Sequence, residues 1–239
     1  MADPHISSAT GASAPESLPP LADQGLSRRA AIGKQTVSGL VLAGGQARRM
    51  QADGRKPVEK GLLPLHGKPL VAWVHSYLAP RTAAIYVSAN RCVDVYARYG
   101  QVVGDDPALG EDAGPLAGLA SVLPQLRTPW LFSLPVDVPA PPPDLLERLA
   151  AQAYESGAGI VYAFSERAHP LCMLVHRDML PGLLEFLRGG ERKVGIWQER
   201  SGAVQAVFSA DDAGFFNINT PADLLLAEQL KIHPFSDQA

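Results

Sequence analysis

The sequence is poor in cysteine, in charge of one sign and in long apolar runs, and each shortage removes a class of function. Cys92 and Cys172 are the only two cysteines among 239 residues and stand far apart, so neither a disulfide framework nor a C-x-x-C metal or redox site is encoded. A reducing cytoplasm suits that usage, and a cytoplasmic location is the expectation. A formal net charge of -3 supplies no global basic field, which argues against bulk attraction to nucleic acid or to an anionic membrane. No apolar run approaches the roughly 20 residues that cross a bilayer, so no membrane partner is expected. Arg28-Arg29 is followed by only a short apolar stretch before Lys34-Gln35 turns polar, which does not make a twin-arginine signal. H-E-x-x-H, G-x-S-x-G, G-x-x-x-x-G-K-[ST] and G-x-G-x-x-G are all missing. A zinc site, an acyl-transfer triad, a Walker loop and the usual dinucleotide fingerprint are therefore not indicated.

What is present is 46% hydrophobic residues, enough to bury the core of one large α/β domain. Residues 1–35 are rich in Ala, Ser, Pro and Gly and read as a disordered leader, 36–231 as the folded domain and 232–239 as a flexible tail. Within the domain, short β-like runs alternate with helical periodicity, the pattern of a mostly parallel sheet covered on both faces by helices. The apolar run from Val37 up to Gly44-Gly45 is expected as a buried strand, with further strands at Ala84–Ser88, Val102-Val103, Trp130–Leu134, Ile160–Phe164 and Leu171–His176, the Trp130 run being central. Pro69 is placed at the first position of a helix whose Leu70, Trp73, Val74, Tyr77 and Leu78 recur at helical spacing. Further helices are expected to start at Gly114-Pro115 and near Pro143, the latter stopping near Gly157. One more runs from Asp178 to Arg188, and the last begins at Thr220-Pro221-Ala222-Asp223, where Thr220 caps and Asp223 reaches back.

Open α/β sheets bind ligands beyond the carboxyl ends of their strands, so the polar residues there carry the weight. Gly44-Gly45 follow the first strand with Arg48 and Arg49 just behind, a loop of bare N–H groups backed by guanidiniums that suits a phosphate. Asn90, the Asp105-Asp106 pair and Asp137 follow the next strands. Asp137 can serve as a Mg²⁺ ligand, since a hard cation takes one or two protein carboxylates and fills its shell with phosphate and water, or as a turn residue before Pro139. Either member of the Asp105-Asp106 pair can be a solvated carboxylate or an acceptor for the N–H groups of a purine edge. Lys60 reads as a point charge for a triphosphate or as a surface lysine. Gly114 and Gly118 permit close backbone approach, to a ligand or to a packed neighbour. His169 reads as a structural or surface residue rather than a catalyst. Asn217 and Asn219 occupy alternate positions and can project the same way toward a ligand, or be ordinary loop residues.

Taken in order, Leu42-Ala43-Gly44-Gly45 with Arg49-Met50, Glu59-Lys60-Gly61-Leu62, Asn90-Arg91, Gly114-Pro115-Leu116-Ala117-Gly118, Pro135-Val136-Asp137-Val138-Pro139, His169-Pro170, Gly190-Glu191-Arg192-Lys193-Val194 and Asn217-Ile218-Asn219-Thr220-Pro221 resemble the molybdenum cofactor guanylyltransferase family, MobA. The resemblance runs from about Thr36 to about Leu230. It implies a three-layer, Rossmann-like nucleotidyltransferase fold that moves GMP from GTP onto Mo-molybdopterin and releases pyrophosphate. By the same resemblance Leu42, Ala43, Gly44, Lys60, Asn90 and Asp105 contact GTP, and Asp137 binds both GTP and Mg²⁺. Gly118, Arg192, Lys193, Asn217 and Asn219 lie on the molybdopterin side or shape it.

The implied chemistry needs no general base, because the attacking terminal phosphate of molybdopterin is already anionic. Catalysis then rests on Asp137 with its metal, on donors at Gly44-Gly45 and on the cations Arg49 and Lys60. The sequence departs from the family in the insertion Gln51–Val58, in Glu59 where the family has Asp, and in Val136 and Val138 where Cys and Thr are common. The alternatives are the sister cytidylyltransferase, which more often carries Ala-Ala-Gly at the first loop, a sugar-phosphate nucleotidyltransferase, and a non-catalytic nucleotide or cofactor carrier. The resemblance further implies transient contact with the molybdenum-insertion enzyme and with acceptor molybdoenzymes; the chain itself is expected to be a monomer or weak homo-oligomer.

Overall fold

The computed structural model describes residues 31–44, 59–110, 114–209 and 213–230. The leader up to residue 30, the loop residues Gly45, Arg48 and Arg49, and the tail from residue 231 lie outside them. Seven strands make the main sheet: β1 (Val37–Leu42), β4 (Ile85–Ser88), β5 (Gln101–Val103), β6 (Trp130–Pro135), β7 (Ile160–Phe164), β8 (Ala168–His176) and β9 (Val204–Val207). The strands β2 (Pro64–Leu65) and β3 (Lys68–Pro69) form a separate hairpin. Across the main sheet the order is β5-β4-β1-β6-β8-β7-β9. The pairings β1–β4, β1–β6, β4–β5 and β7–β9 are parallel, whereas β8 runs antiparallel to both β6 and β7.

Side-chain alternation along β1 divides the core. Val37 and Val41 join one cluster and Leu40 and Leu42 the other, as the period of two in a strand requires. On the first face lie α1 (Leu70–Leu78) and α4 (Leu145–Ser156), which bury Trp73, Tyr77, Leu145 and Leu149. The second face is covered by α3 (Pro115–Val122), α5 (Leu180–Arg188) and α6 (Val194–Arg200), with Leu116, Leu183, Phe186 and Trp197 in its core. The result is a helix–sheet–helix sandwich. Two further helices are the single turn α2 (Val93–Tyr96) and α7 (Pro221–Gln229), of nine residues. No described helix is long and apolar enough to cross a membrane.

Most expected elements fall where periodicity puts them, with instructive offsets. Pro69 is the residue before α1 rather than its first residue, because its extended ψ of 149° lets it close the hairpin opposite Pro64. The hairpin turns at His66 and Gly67, with φ of 49° and 76°, the doubly positive pair of a two-residue loop. The helix expected from Asp178 is a 3₁₀ turn over Arg177–Met179 followed by α5, whose first turn holds Pro181, a residue with no N–H to donate further inside. The expected stop at Gly157 is a left-handed cap, φ 70°, whose N–H donates to the Ala153 carbonyl.

Candidate nucleotide-binding site

Register explains why separate loops meet. Leu42 is paired with both Ser88 and Pro135, and Ser88 with Val103, so four parallel strands finish at one level. The chain leaves β1 for β4 on one side and reaches β6 on the other, which makes the β1–β6 boundary the switch point where such sheets open a crevice. A cavity of about 460 Å³ lies there, and Leu42, Gly44, Lys60, Asn90, Asp105 and Asp137 all line it. Six of the site residues expected from sequence thus come together. Gly45 and Arg49 belong to the first loop, outside the described residues.

The wall beyond β4 and β5 is a reciprocal clasp. Asn90 Nδ2 donates to Asp105 Oδ2 at 2.8 Å, and the Asp105 N–H donates to Asn90 Oδ1 at 2.7 Å, which fixes the amide's orientation. Asp106 turns away: its Oδ1 accepts the Ala108 N–H at 2.9 Å and caps the 3₁₀ turn Pro107–Leu109. Adjacent carboxylates therefore split, one to the cavity and one to a cap.

On the β6 side, Lys60 Nζ donates to Asp137 Oδ2 at 2.8 Å and to Asn219 Oδ1 at 2.7 Å. The two ionic side chains are only 13% and 19% exposed. Asp137 Oδ1 is buried with no hydrogen-bond partner among the described residues. An orphaned carboxylate oxygen next to a cavity fits a divalent cation. Among the described residues no group of three or more His, Cys, Asp or Glu is arranged to hold a metal, and a hard cation commonly takes one or two protein carboxylates and completes its shell with phosphate and water. Nearby, burial first and the charge of Asp137 second push the Cys172 thiol up, leaving it an unreactive core residue.

The late segment is drawn in by its main chain. The Ile218 N–H donates to the Asp137 carbonyl at 2.9 Å, and Ile218 itself is fully buried. Thr220 and Asp223 form the expected capping box of α7, and Asp223 Oδ2 also accepts the Asn219 N–H at 2.9 Å. Asn217 differs from its neighbour two residues on, because its Oδ1 is buried without a partner among the described residues.

The other residues expected on the pterin side are placed differently. Gly118 is inside α3, where an added Cβ would stand 2.3 Å from Ser88 Oγ and 2.9 Å from Ser88 Cβ, so the helix sits on β4 through it. Arg192 directs its guanidinium at main-chain carbonyls, those of Leu187 (2.6 Å), Glu191 (2.8 Å) and Leu109 (3.1 Å). Lys193 is exposed at the N-terminus of α6. His169 is buried, its Nε2 bonded to Ser165 Oγ at 2.8 Å and its ring stacked on Phe215 at 4.1 Å. That is the structural role read from sequence.

Some cavity residues escape a sequence reading. Arg91 and Glu59 form an ion pair that ties the Lys60 turn to the loop after β4, and both line the cavity. The opposite charges and the adjacency of Arg91 to Asn90 are signals in the sequence, but nothing in their spacing joins residues so far apart along the chain. Leu171 lines the cavity because β8 enters the sheet reversed, so its first residues, not its last, lie at the functional edge.

Comparison with known proteins agrees with this geometry. The profile of the MobA-like NTP transferase domain matches residues 39–202. The chain belongs to that family. Its MobA-like relatives include the molybdenum cofactor guanylyltransferase of Mannheimia succiniciproducens, 38% identical over 190 residues that cover 79% of this chain and 97% of the relative. The protein of the same name from Bordetella pertussis is 38% identical over 199 residues, covering 81% and 97%. Among solved structures, the molybdopterin-guanine dinucleotide biosynthesis protein A of Archaeoglobus fulgidus superposes with a TM-score of 0.65 at 25% identity, over 81% of this MobA-like chain and 98% of that one. The 2-C-methyl-D-erythritol 4-phosphate cytidylyltransferase of Thermus thermophilus shares the fold, with a TM-score of 0.59 at 16% identity over 80% and 97%.

Proposed function

We propose that the chain is a molybdenum cofactor guanylyltransferase, transferring GMP from GTP to the terminal phosphate of Mo-molybdopterin and releasing pyrophosphate. The observation that carries the reading is Asp137, a carboxylate with one oxygen on Lys60 and the other orphaned, at the switch point of a family nucleotidyltransferase fold. Guanylyltransferase relatives aligned over about four-fifths of the chain support the choice of base and acceptor.

Two anions have to be brought together, so this chain's residues act by charge and position. Lys60 brings an ammonium to the cavity, and Gly44, which also lines it, offers a backbone N–H to phosphate; Gly45, next in sequence, is expected to add another. Arg49 stands in the same loop as a second cation. Asn90 and Asp105 present a fixed pair of polar groups on the far wall, the Asp105 carboxylate suited to the N–H edge of guanine. Asp137 would hold Mg²⁺ through Oδ1; when bound, the ion neutralises phosphate charge in the transition state. Asn217, whose buried Oδ1 has no hydrogen-bond partner among the described residues, is assigned to the pterin on the family resemblance. Gly118 and Arg192 shape that side through packing and loop anchoring, and Lys193 adds exposed positive charge. Product handover implies contact with the molybdenum-insertion enzyme and acceptor molybdoenzymes, in the cytoplasm.

The test is nucleotide transfer to Mo-molybdopterin with Mg²⁺, offering GTP and CTP in parallel and measuring pyrophosphate and dinucleotide product. GTP-selective product is expected. CTP-selective product would make the chain a cytidylyltransferase, and GTP binding without product would make it a carrier.

A further inference from the structure

The two late asparagines read alike in sequence, yet they are used differently. Asn219 commits its Oδ1 to the Lys60 ammonium at 2.7 Å, while Asn217 Oδ1 makes no hydrogen bond among the described residues. We propose that Asn219 is a positioning residue for Lys60, fixed in turn by the α7 capping box, so that its loss is felt by the triphosphate and not by the pterin. This rests on the nucleotide reading above and reassigns Asn219 from the side that the family resemblance implies.

A lysine reaches its target on a flexible four-carbon stem and needs its head held if it is to act as a fixed point charge. Asp137 Oδ2 is one anchor. Asn219 is a second, and being neutral it orients the ammonium without cancelling its charge. An ammonium has three donors, so two anchors leave one for an incoming oxygen. Asn219 is itself held from behind. Its N–H and that of Thr220 both donate to Asp223 Oδ2, at 2.9 and 2.8 Å, and the hydrogen bond from the Asn219 N–H is the largest cause keeping the Asp223 pKa below its ordinary value. One residue earlier, the Ile218 N–H is bonded to the Asp137 carbonyl. Asn219 is therefore stitched to α7 on one side and to the β6 end on the other, with its side chain directed at Lys60.

The experiment is calorimetric titration of the full-length chain with GTP in EDTA, so that no metal contributes, for wild type, Asn219→Ala, Asn219→Ser, Lys60→Ala and the Lys60→Ala/Asn219→Ala double variant. Melting curves show which variants fold. Serine is the second probe, since its hydroxyl is shorter than the carboxamide and cannot span the same gap. Either Asn219 variant should weaken GTP by about tenfold, the worth of one hydrogen bond to a charged group. The double variant should bind like Lys60→Ala alone, because without the ammonium there is nothing left for Asn219 to position. Steady-state kinetics should raise the KM for GTP and leave that for the pterin unchanged. Unchanged GTP binding by the Asn219 variants, losses that add to that of Lys60→Ala, or an effect seen only in the Mg²⁺ requirement or the pterin KM would overturn the assignment. Wild-type protein that binds GTP with Mg²⁺ but not in EDTA would overturn this inference alone, and wild-type protein that binds no GTP under either condition would overturn the nucleotide reading with it.

Discussion

Asp137→Ala separates what the carboxylate does for the fold from what it does for the reaction. In the fold, the substitution removes one ion pair, Lys60 Nζ to Oδ2 at 2.8 Å between side chains 13% and 19% exposed. At an effective dielectric near 20, unit charges about 4 Å apart attract by about 4 kcal/mol. Desolvation and side-chain ordering return most of that, leaving about 1–2 kcal/mol for a pair of intermediate burial. Lys60 keeps Asn219 as an acceptor, and the main-chain bond from Ile218 to the residue 137 carbonyl is untouched. The buried Oδ1, unpartnered among the described residues, supplies no stabilising hydrogen bond, so its removal adds no further loss. The melting temperature should therefore fall by about 2–8 °C for a domain of this size. Turnover loses the metal's carboxylate, a transition-state interaction worth at least about 4 kcal/mol or roughly 10³-fold in kcat. Pyrophosphate release and a melting curve on the same preparation give both numbers. A folded variant within tenfold of wild-type turnover would refute the role given to Asp137, and an unfolded one would refute the stability arithmetic.

Three other outcomes rest on individual contacts. Gly118→Ala should destabilise by about 1–3 kcal/mol, since its Cβ would stand 2.3 Å from Ser88 Oγ, and Ser88→Ala in the same chain should recover part of the loss in chemical denaturation. His169 is held below its ordinary pKa of 6.5, chiefly by burial and then by Arg167. The folded protein thus binds fewer protons than the unfolded chain just below pH 6.5, and the stability His169 contributes, complete above that pH, is lost as the pH falls through the folded pKa. His169→Gln should flatten this part of the stability–pH curve, and an unchanged slope would remove His169 as its source. Asp223 is also depressed, from 3.8, so its contribution is present above that value and lost as the pH falls through the folded pKa. Asp223→Asn should flatten the acid limb there, while Thr220→Ala should lower stability by about 1 kcal/mol at neutral pH through loss of the cap.

Local chemistry makes most of the fold legible in the sequence. Thr220 and Asp223 form the capping box their spacing announces, and the helix before Gly157 ends in the left-handed cap that glycine favours. The central place of β6 follows from a run that is apolar but for Ser133, preceded by Pro129 and closed by Pro135. The elements that escape a sequence reading have weaker local signals. The hairpin at His66-Gly67 has strands of two residues, too short for periodicity to register. The strand β9 is an edge with two exposed positions, and α6 is only seven residues long. The reversed direction of β8 is invisible to alternation, which is the same whichever way a strand runs.

The site divides along the same line. Residues directly after parallel strands are legible because register alone brings them to one level, as with Asn90, Asp105 and Asp137. Their pairings are not, because each joins loops that only the sheet order makes neighbours. Lys60 and Asn219 are 159 residues apart, and no pattern within either segment specifies the other. Alternation at Asn217 and Asn219 predicts a shared direction, and it holds only as far as an extended backbone does. These residues belong to no strand, and the buried Ile218 between them spends its N–H on Asp137. What each asparagine then does is decided by what the rest of the chain brings within reach. Lys60 donates to Asn219 Oδ1 and not to Asn217 Oδ1, so two identical side chains two positions apart acquire different work from a neighbour that sequence spacing cannot name.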